Sequence, residues 1–333
     1  MNTTHFNSFN DTIFLTFFTI EGIIAIPTVF GNLLLIYCIK HYKTFHTRSY
    51  ILIANLSVSD FLIGAVFIPY DMSTVGFPQM RQNKITCILR NALLLTFVGA
   101  SVVNLLLISL ERYTAIAYPL WHLKLSPNWL IGSIVLAWSF SSILAILPLM
   151  GWNSWNTTLK CTRKWNDTYA HSYKVMWILT CVLTIIISII LFIRVVIITF
   201  KLLDSSNMAE GDIRKFSPRY LTTSIEKTKV LILILGVFVV CWAPYCIVVF
   251  LEILFPSKRK QLDEVRIYCG MVAFVNSSLN WVIYGLKNKK IRRAFIRTLK
   301  CGGGESMHSI SRQNSSNPNS CTKFGQISSI SLW

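Results

Sequence analysis

Glu21, Asn32, Asp60, Asp71, Ser101, Asn104, the adjacent pair Glu111–Arg112, Glu252, Asn276 and Asn280 all fall within or at the ends of long apolar runs. Carboxylates, amides and hydroxyls in such surroundings hold cations, protons or one another. A charge at bilayer depth costs at least about 2.5–3.5 kcal/mol on insertion scales, so each is a functional candidate. The plainer alternative is hydrogen-bonded glue between helices, which is the reading for Asn104. Asp60 needs more than amide donors, because a buried carboxylate calls for a cation or a proton. No nucleophile–base pair, Gly-rich phosphate loop or Cys/His metal spacing lies in a loop large enough to house a reaction. The chemistry is that of binding, and the chain does not read as an enzyme.

The elements that must position these side chains follow from composition. Of 333 residues, 53% are hydrophobic and 14% charged, against about 25% charged in soluble domains. Mean hydropathy is +0.53. A net charge of +18 alone would suggest a nucleic-acid partner, but so few charges cannot coat a soluble globule, so nucleic acid is excluded. Apolar runs long enough to cross a bilayer cover roughly 12–39, 49–75, 88–118, 128–150, 173–200, 227–254 and 265–286. The fold class expected is all-α, a seven-transmembrane helix bundle. The flank before the first run has no basic residue and the run outlasts a signal h-region, so it is not an obvious cleavable signal. No repeat suggests a transporter built from inverted halves.

Lys and Arg in the short loops orient the bundle. The loop after the first run, the loop between the fifth and sixth, and the segment after the seventh hold most of the 21 basic residues, out of 32, that fall on one side. That side is cytoplasmic, with the N-terminus outside and the chain multi-pass in the plasma membrane. Sequons at Asn2, Asn10, Asn156 and Asn166 all fall outside in this orientation and are expected to be glycosylated. Cys87 and Cys161, both on the oxidising side, are the candidates for one disulfide.

GN at 31–32, LSVSD at 56–60, Cys87, ERY at 111–113, Trp138, CWAPY at 241–245 and NSSLNWVIY at 276–284 together resemble rhodopsin-like (class A) G-protein-coupled receptors over about 15–300. GWNSWNTT, CWAPY and NSSLN are similar to biogenic-amine and trace-amine receptors, histamine-like ones included. LPLMGWN is similar to adenosine receptors. The resemblance implies an allosteric sodium ion among Asp60, Ser101, Asn276 and Asn280, near Asn32. It implies G-protein coupling through Glu111, Arg112, Tyr113 and the loop residue Leu120, with Glu226 and Tyr284 as partners of the switch. Ligand-contact candidates by position are Leu94, Leu95, Val98, Asp71, Met176, Trp177, Thr180, Trp242, Tyr245, Cys246 and Phe274.

Four positions depart from the family pattern. Trp281 and Thr184 stand where Pro is usual, Phe192 replaces a Tyr, and Leu94 occupies the place of the Asp that pairs with an amine. An amine is the ligand suggested by motif, but its counter-ion would have to be Asp71, Glu21 or Glu252, whose alternative is pairing with Arg90, Lys258 or Arg266. A nucleoside, lipid-like or anionic ligand fits the basic outer segments equally. A third reading is a weakly coupling partner protein that keeps the receptor fold. The expected organisation is a glycosylated N-terminus (1–11), the bundle (12–286), an amphipathic membrane-surface helix (287–301) and a disordered Ser-rich tail (302–333). Basic and apolar residues alternate at helical spacing in NKKIRRAFIRTLK, which suits membrane lipid. Cys301 at its end is a palmitoylation candidate, and the tail serines suit a receptor kinase and arrestin.

Overall fold

A computed structural model describes residues 8–155, 168–208 and 218–302. Asn2, Asn156, Asn166, Cys161 and the tail beyond 302 lie outside the described residues, as do the side chains of Asn10, Glu226 and Cys301. The helices are α1 (Ser8–His41), α2 (Arg48–Leu62), α3 (Ile68–Gly76), α4 (Pro78–Gln82), α5 (Lys84–Ala117), α6 (Pro119–Lys124), α7 (Pro127–Ile146), α8 (His171–Met208), α9 (Pro218–Leu254), α10 (Arg259–Lys287) and α11 (Lys289–Gly302). Among the described residues seven spans are long and apolar enough to cross a membrane, the second assembled from α2 and α3. One isolated bridge, Asn153 with Tyr169, is the β-pairing among them.

Local chemistry sets several boundaries. Asn83 caps α5 by accepting from the backbone N–H groups of Ile85 (2.8 Å) and Thr86 (3.3 Å), and Asn288 caps α11 the same way through Lys290 and Ile291. Pro119 and Pro127 occupy first helical positions, where the missing N–H costs nothing.

The second span is not the uninterrupted α-helix that its apolar run suggests. Ile63–Phe67 form a π-helical turn, and the Ile68 N–H reaches back to the Ile63 carbonyl. The turn lies just before Pro69, which has no N–H to give.

The bundle is apolar outside as well as inside. Ile26, Leu136 and Val240 are 73%, 70% and 71% exposed, an arrangement that hydrocarbon solvates and water does not. Polar pairs tie the interior. Trp138 Nε1 donates to Asn55 Oδ1 (2.9 Å), Asn55 Nδ2 to Asn104 Oδ1 (3.0 Å), and Asn104 Nδ2 to the Leu52 carbonyl (2.9 Å). Asn104 is therefore the glue between α2 and α5 that its sequence context suggests.

The seventh span, α10, runs unbroken through position 281. There the Trp281 indole lies against the backbone of Gly31 on α1, so close that a Cβ on Gly31 would come within 2.2 Å of three ring atoms. Asn32, the next residue, donates to the Ser277 carbonyl at 2.9 Å. Helices α1 and α10 are thus joined by a knob seated in a glycine hollow and a hydrogen bond beside it.

Candidate functional site

The half of the bundle in which α5 begins contains two stacked cavities. The lower one is a chamber walled by Leu94, Leu95 and Val98 of α5, Trp177 of α8, Trp242, Tyr245 and Cys246 of α9 and Phe274 of α10. All eight are positions expected to meet a ligand. Val102, Ile178, Cys181, Ile185, Phe238, Gly270 and Ala273 complete the wall, and helical spacing from the expected residues would have found several of them. Trp242 stacks on Phe238 (5.9 Å) and meets Tyr245 edge-on (5.8 Å).

Three expected contacts do not line the chamber, and one of them, Asp71, belongs to the compartment above it. Met176 and Thr180 lie on an outward groove of α8. One residue of helix turns a side chain by about 100°, so Trp177 and Cys181 face in while their predecessors face out.

Above the chamber is a charged vestibule that shares Leu94, Tyr245, Gly270 and Phe274 with it and adds Glu21, Asp71, Arg90, Asn91 and Arg266. Arg90 Nε lies 3.4 Å from Asp71 Oδ1. Arg266 donates from Nε to Glu252 Oε1 and from Nη2 to Asp263 Oδ1, both at 2.8 Å. The carboxylates considered as amine counter-ions, Asp71 and Glu252, are therefore engaged by arginines, and Glu21 is buried among the same groups. At the top of α5, Cys87 is disulfide-bonded.

At mid-depth Asn280 Nδ2 donates to Asp60 Oδ2 at 2.7 Å, and both residues are 1% exposed or less. Asp60 Oδ1, Asn32 Oδ1, Ser101 Oγ, Asn276 Oδ1 and Asn280 Oδ1 are buried oxygens with no hydrogen-bond partner among the described residues.

At the end of the bundle where α5 finishes, Arg112 donates to Glu111 through Nε and Nη2, the latter at 2.6 Å, and to Ser49 Oγ. Ser49 in turn donates to Glu111 at 3.1 Å. Ser49 was not among the expected switch residues, since its part depends on where α2 begins. A cavity beside Arg112 is lined by Tyr50 and Tyr284 and by Lys229, Lys287, Lys290 and Arg293. The Tyr284 hydroxyl is buried without a partner among the described residues. Phe192, also buried, has no hydroxyl to offer. Tyr113 packs edge-on against Tyr118 (5.9 Å), and Leu120 on α6 is 76% exposed.

His122 on α6 joins this cluster, its Nε2 at 3.8 Å from Glu111 Oε1 and its Nδ1 at 3.3 Å from Thr114 Oγ1. Burial holds the imidazole below its ordinary range; Glu111 opposes the shift and Arg48 and Arg112 add to it. The folded protein thus favours neutral His122. The stability this contributes is present above the ordinary imidazole pKa, about 6.5, and is lost as pH falls from there toward the lowered value. Thermal unfolding between about pH 7.5 and 5.5 should show wild type losing more stability than His122→Gln. Equal losses would remove His122 from the explanation.

Residues 31–284 match the family described as 7 transmembrane receptor (rhodopsin family). Curated relatives include Lysophosphatidic acid receptor 1-A of Xenopus laevis, 27% identical over 86% of this chain and 76% of the relative. Lysophosphatidic acid receptor 1 of Homo sapiens is 27% identical over 93% and 80%. Lysophosphatidic acid receptor 2 of Mus musculus is 29% identical over 84% and 78%. These relatives do not carry the amine-receptor resemblance of the motifs; the family is what they share with it.

Proposed function

The chain belongs to the rhodopsin family of seven-transmembrane receptors, and from that premise we propose that it is a plasma-membrane receptor, N-terminus outside, for an amphiphilic lipid with one apolar chain and an anionic head. The observation that carries this reading is the stacking of an almost wholly apolar chamber beneath a vestibule holding Arg90 and Arg266. Such a pair of compartments matches a molecule that is apolar at one end and charged at the other. Arg90 approaches the Asp71 carboxylate at 3.4 Å, and a guanidinium that meets a carboxylate has the same planar donors to offer a phosphate-like head. Relatives named for lysophosphatidic acid support the same class of ligand.

An amine remains the second reading, favoured by Glu21 and Asp71 in the vestibule wall. The two readings separate in one pair of variants. If the head is anionic, Asp71→Asn keeps the response to lysophosphatidic acid. Adding Arg90→Gln to that variant should weaken the response about 10- to 100-fold, the worth of a charge-assisted hydrogen bond. Loss of an amine response in Asp71→Asn, with no lipid response in wild type, would reverse the assignment.

Signalling is through a heterotrimeric G protein, which would approach the basic cavity beside Arg112 and the exposed Leu120. The mid-depth oxygens suit sodium, a hard cation that takes carboxylate, amide and hydroxyl ligands. Asp60 and Ser101, with Asn276 and Asn280, would hold it, near Asn32, and the ion would neutralise Asp60. Sodium should then raise the unfolding temperature of wild type relative to an N-methylglucamine salt. Asp60→Asn should abolish that difference, and a difference that persists would count against the site. Receptor kinase and arrestin action on the tail, N-glycosylation, and palmitoylation of Cys301 belong to the same proposal.

A further inference from the structure

Helix α5 packs along both α7 and α8. Those two helices are fastened at their outer ends, where Tyr173 Oη donates to the Leu144 carbonyl (3.0 Å), and Trp152, in the segment after α7, donates from Nε1 to Ser172 Oγ of α8 (2.9 Å). Below the fastening lies a narrow cleft between Phe140 and Ser141 of α7 and Thr180 and Thr184 of α8, floored by Gly99 and Val103 of α5.

Its inner wall is Trp177, which with Val102 and Cys181 also lines the apolar chamber. Its outer lip is Thr180, which belongs as well to the groove on the bilayer face of α8, beside Leu179 and Leu183, which are 62% and 60% exposed. Chamber, cleft and groove therefore form a series from the bundle interior to the lipid.

The partition between chamber and cleft depends on small neighbours. A Cβ on Gly99 would come within 2.9 Å of the Trp177 ring edge and 3.1 Å of Ser141, so glycine and serine make the space in which the indole rests. The cleft wall is also less polar than its residues suggest. Thr180, Thr184 and Ser188 turn their hydroxyls back to the carbonyls of Met176, Thr180 and Thr184, and the two threonines are left with methyls to offer an alkyl chain.

We propose that the cleft between α7 and α8 is a membrane-side port through which the chain of a bilayer-dissolved single-chain lipid reaches the chamber, with Trp177 as its door. The proposal rests on the lipid-ligand reading above. A lipid taking this path never draws its apolar chain through water or across the charged vestibule, where each methylene would be poorly solvated.

The test uses full-length receptor in phosphatidylcholine nanodiscs and a fluorescent oleoyl lysophosphatidic acid as probe. Thr180→Trp fills the lip without touching the chamber. Both association and dissociation should slow by about tenfold while equilibrium affinity holds, because obstructing a path alters the two directions equally. Phe140→Ala, at a half-exposed position, should widen the cleft and speed both. Val240→Trp, a bulky change on the lipid face of α9, serves as the control and should alter neither. Unchanged rates in both cleft variants overturn the port and leave the lipid reading standing. A change in affinity without a change in association rate also overturns it, by making the cleft part of the bound site. No saturable binding to wild type overturns the lipid reading and the port with it.

Discussion

An Arg266→Ala receptor is expected to be about 3–5 kcal/mol less stable than wild type, the cost of breaking a buried ion pair from one side. Arg266 is 3% exposed and serves two carboxylates that are themselves buried, Glu252 on α9 and Asp263 on α10. Its removal strands two negative charges, and the attraction it supplied is only part of the loss. The triple variant Glu252→Gln/Asp263→Asn/Arg266→Met keeps the volume and removes every formal charge, so it should recover most of the stability. Chemical unfolding of nanodisc-embedded protein would compare the three. A single variant within about 1 kcal/mol of wild type would show that the cluster is solvated like an ordinary surface pair.

The second large effect is expected at Trp281. Trp281→Pro withdraws a ring that fills the hollow over Gly31 and removes a backbone N–H from within the last two turns of α10. Truncating a large aromatic in a packed site costs about 3–5 kcal/mol, and a proline within a helix about 3 more where neighbours do not compensate. Trp281 follows Asn280, which holds Asp60, so the same change should loosen the seventh span and raise ligand-independent nucleotide exchange on the G protein. Unchanged exchange would mean that Trp281 supports packing without restraining the switch. Gly31→Ala tests the hollow from the other side. A methyl placed within 2.2 Å of the indole forces a shift costing about 1–3 kcal/mol. That cost should largely vanish in a Trp281→Ala background, since the two residues share one space.

Much of this arrangement was legible in the sequence because membrane helices declare themselves by length and apolarity. Eight of the expected ligand positions surround one chamber because helical periodicity carries an inward face from turn to turn. Met176 and Thr180, named by position, line a groove on α8 instead of the chamber. A run apolar on all sides carries little mark of which side is buried. Pairing of Asp71 and Glu252 with basic residues at the rim was legible as the plainer reading, but which carboxylate meets Arg90 and which Arg266 depends on distances across helices. Trp281 was visible as a departure, but its seat on Gly31 was not. That contact joins residues 250 positions apart in sequence, and no local pattern encodes it. Ser49 and His122 escaped notice for the same reason: each acquires meaning from the Glu111 carboxylate that the fold brings beside it.

The π-helical turn at Ile63–Phe67 acts as a one-residue insertion in the gearing of the second span. Everything beyond it is advanced by about 100° relative to an unbroken α-helix. Asp60 lies below the turn and Asp71 above it, so their bearings around the axis are set independently, one toward Asn280 and the other toward Arg90. Straightening the turn by deleting one residue within 63–67 would leave Asp60 where it is and rotate Asp71 away from Arg90.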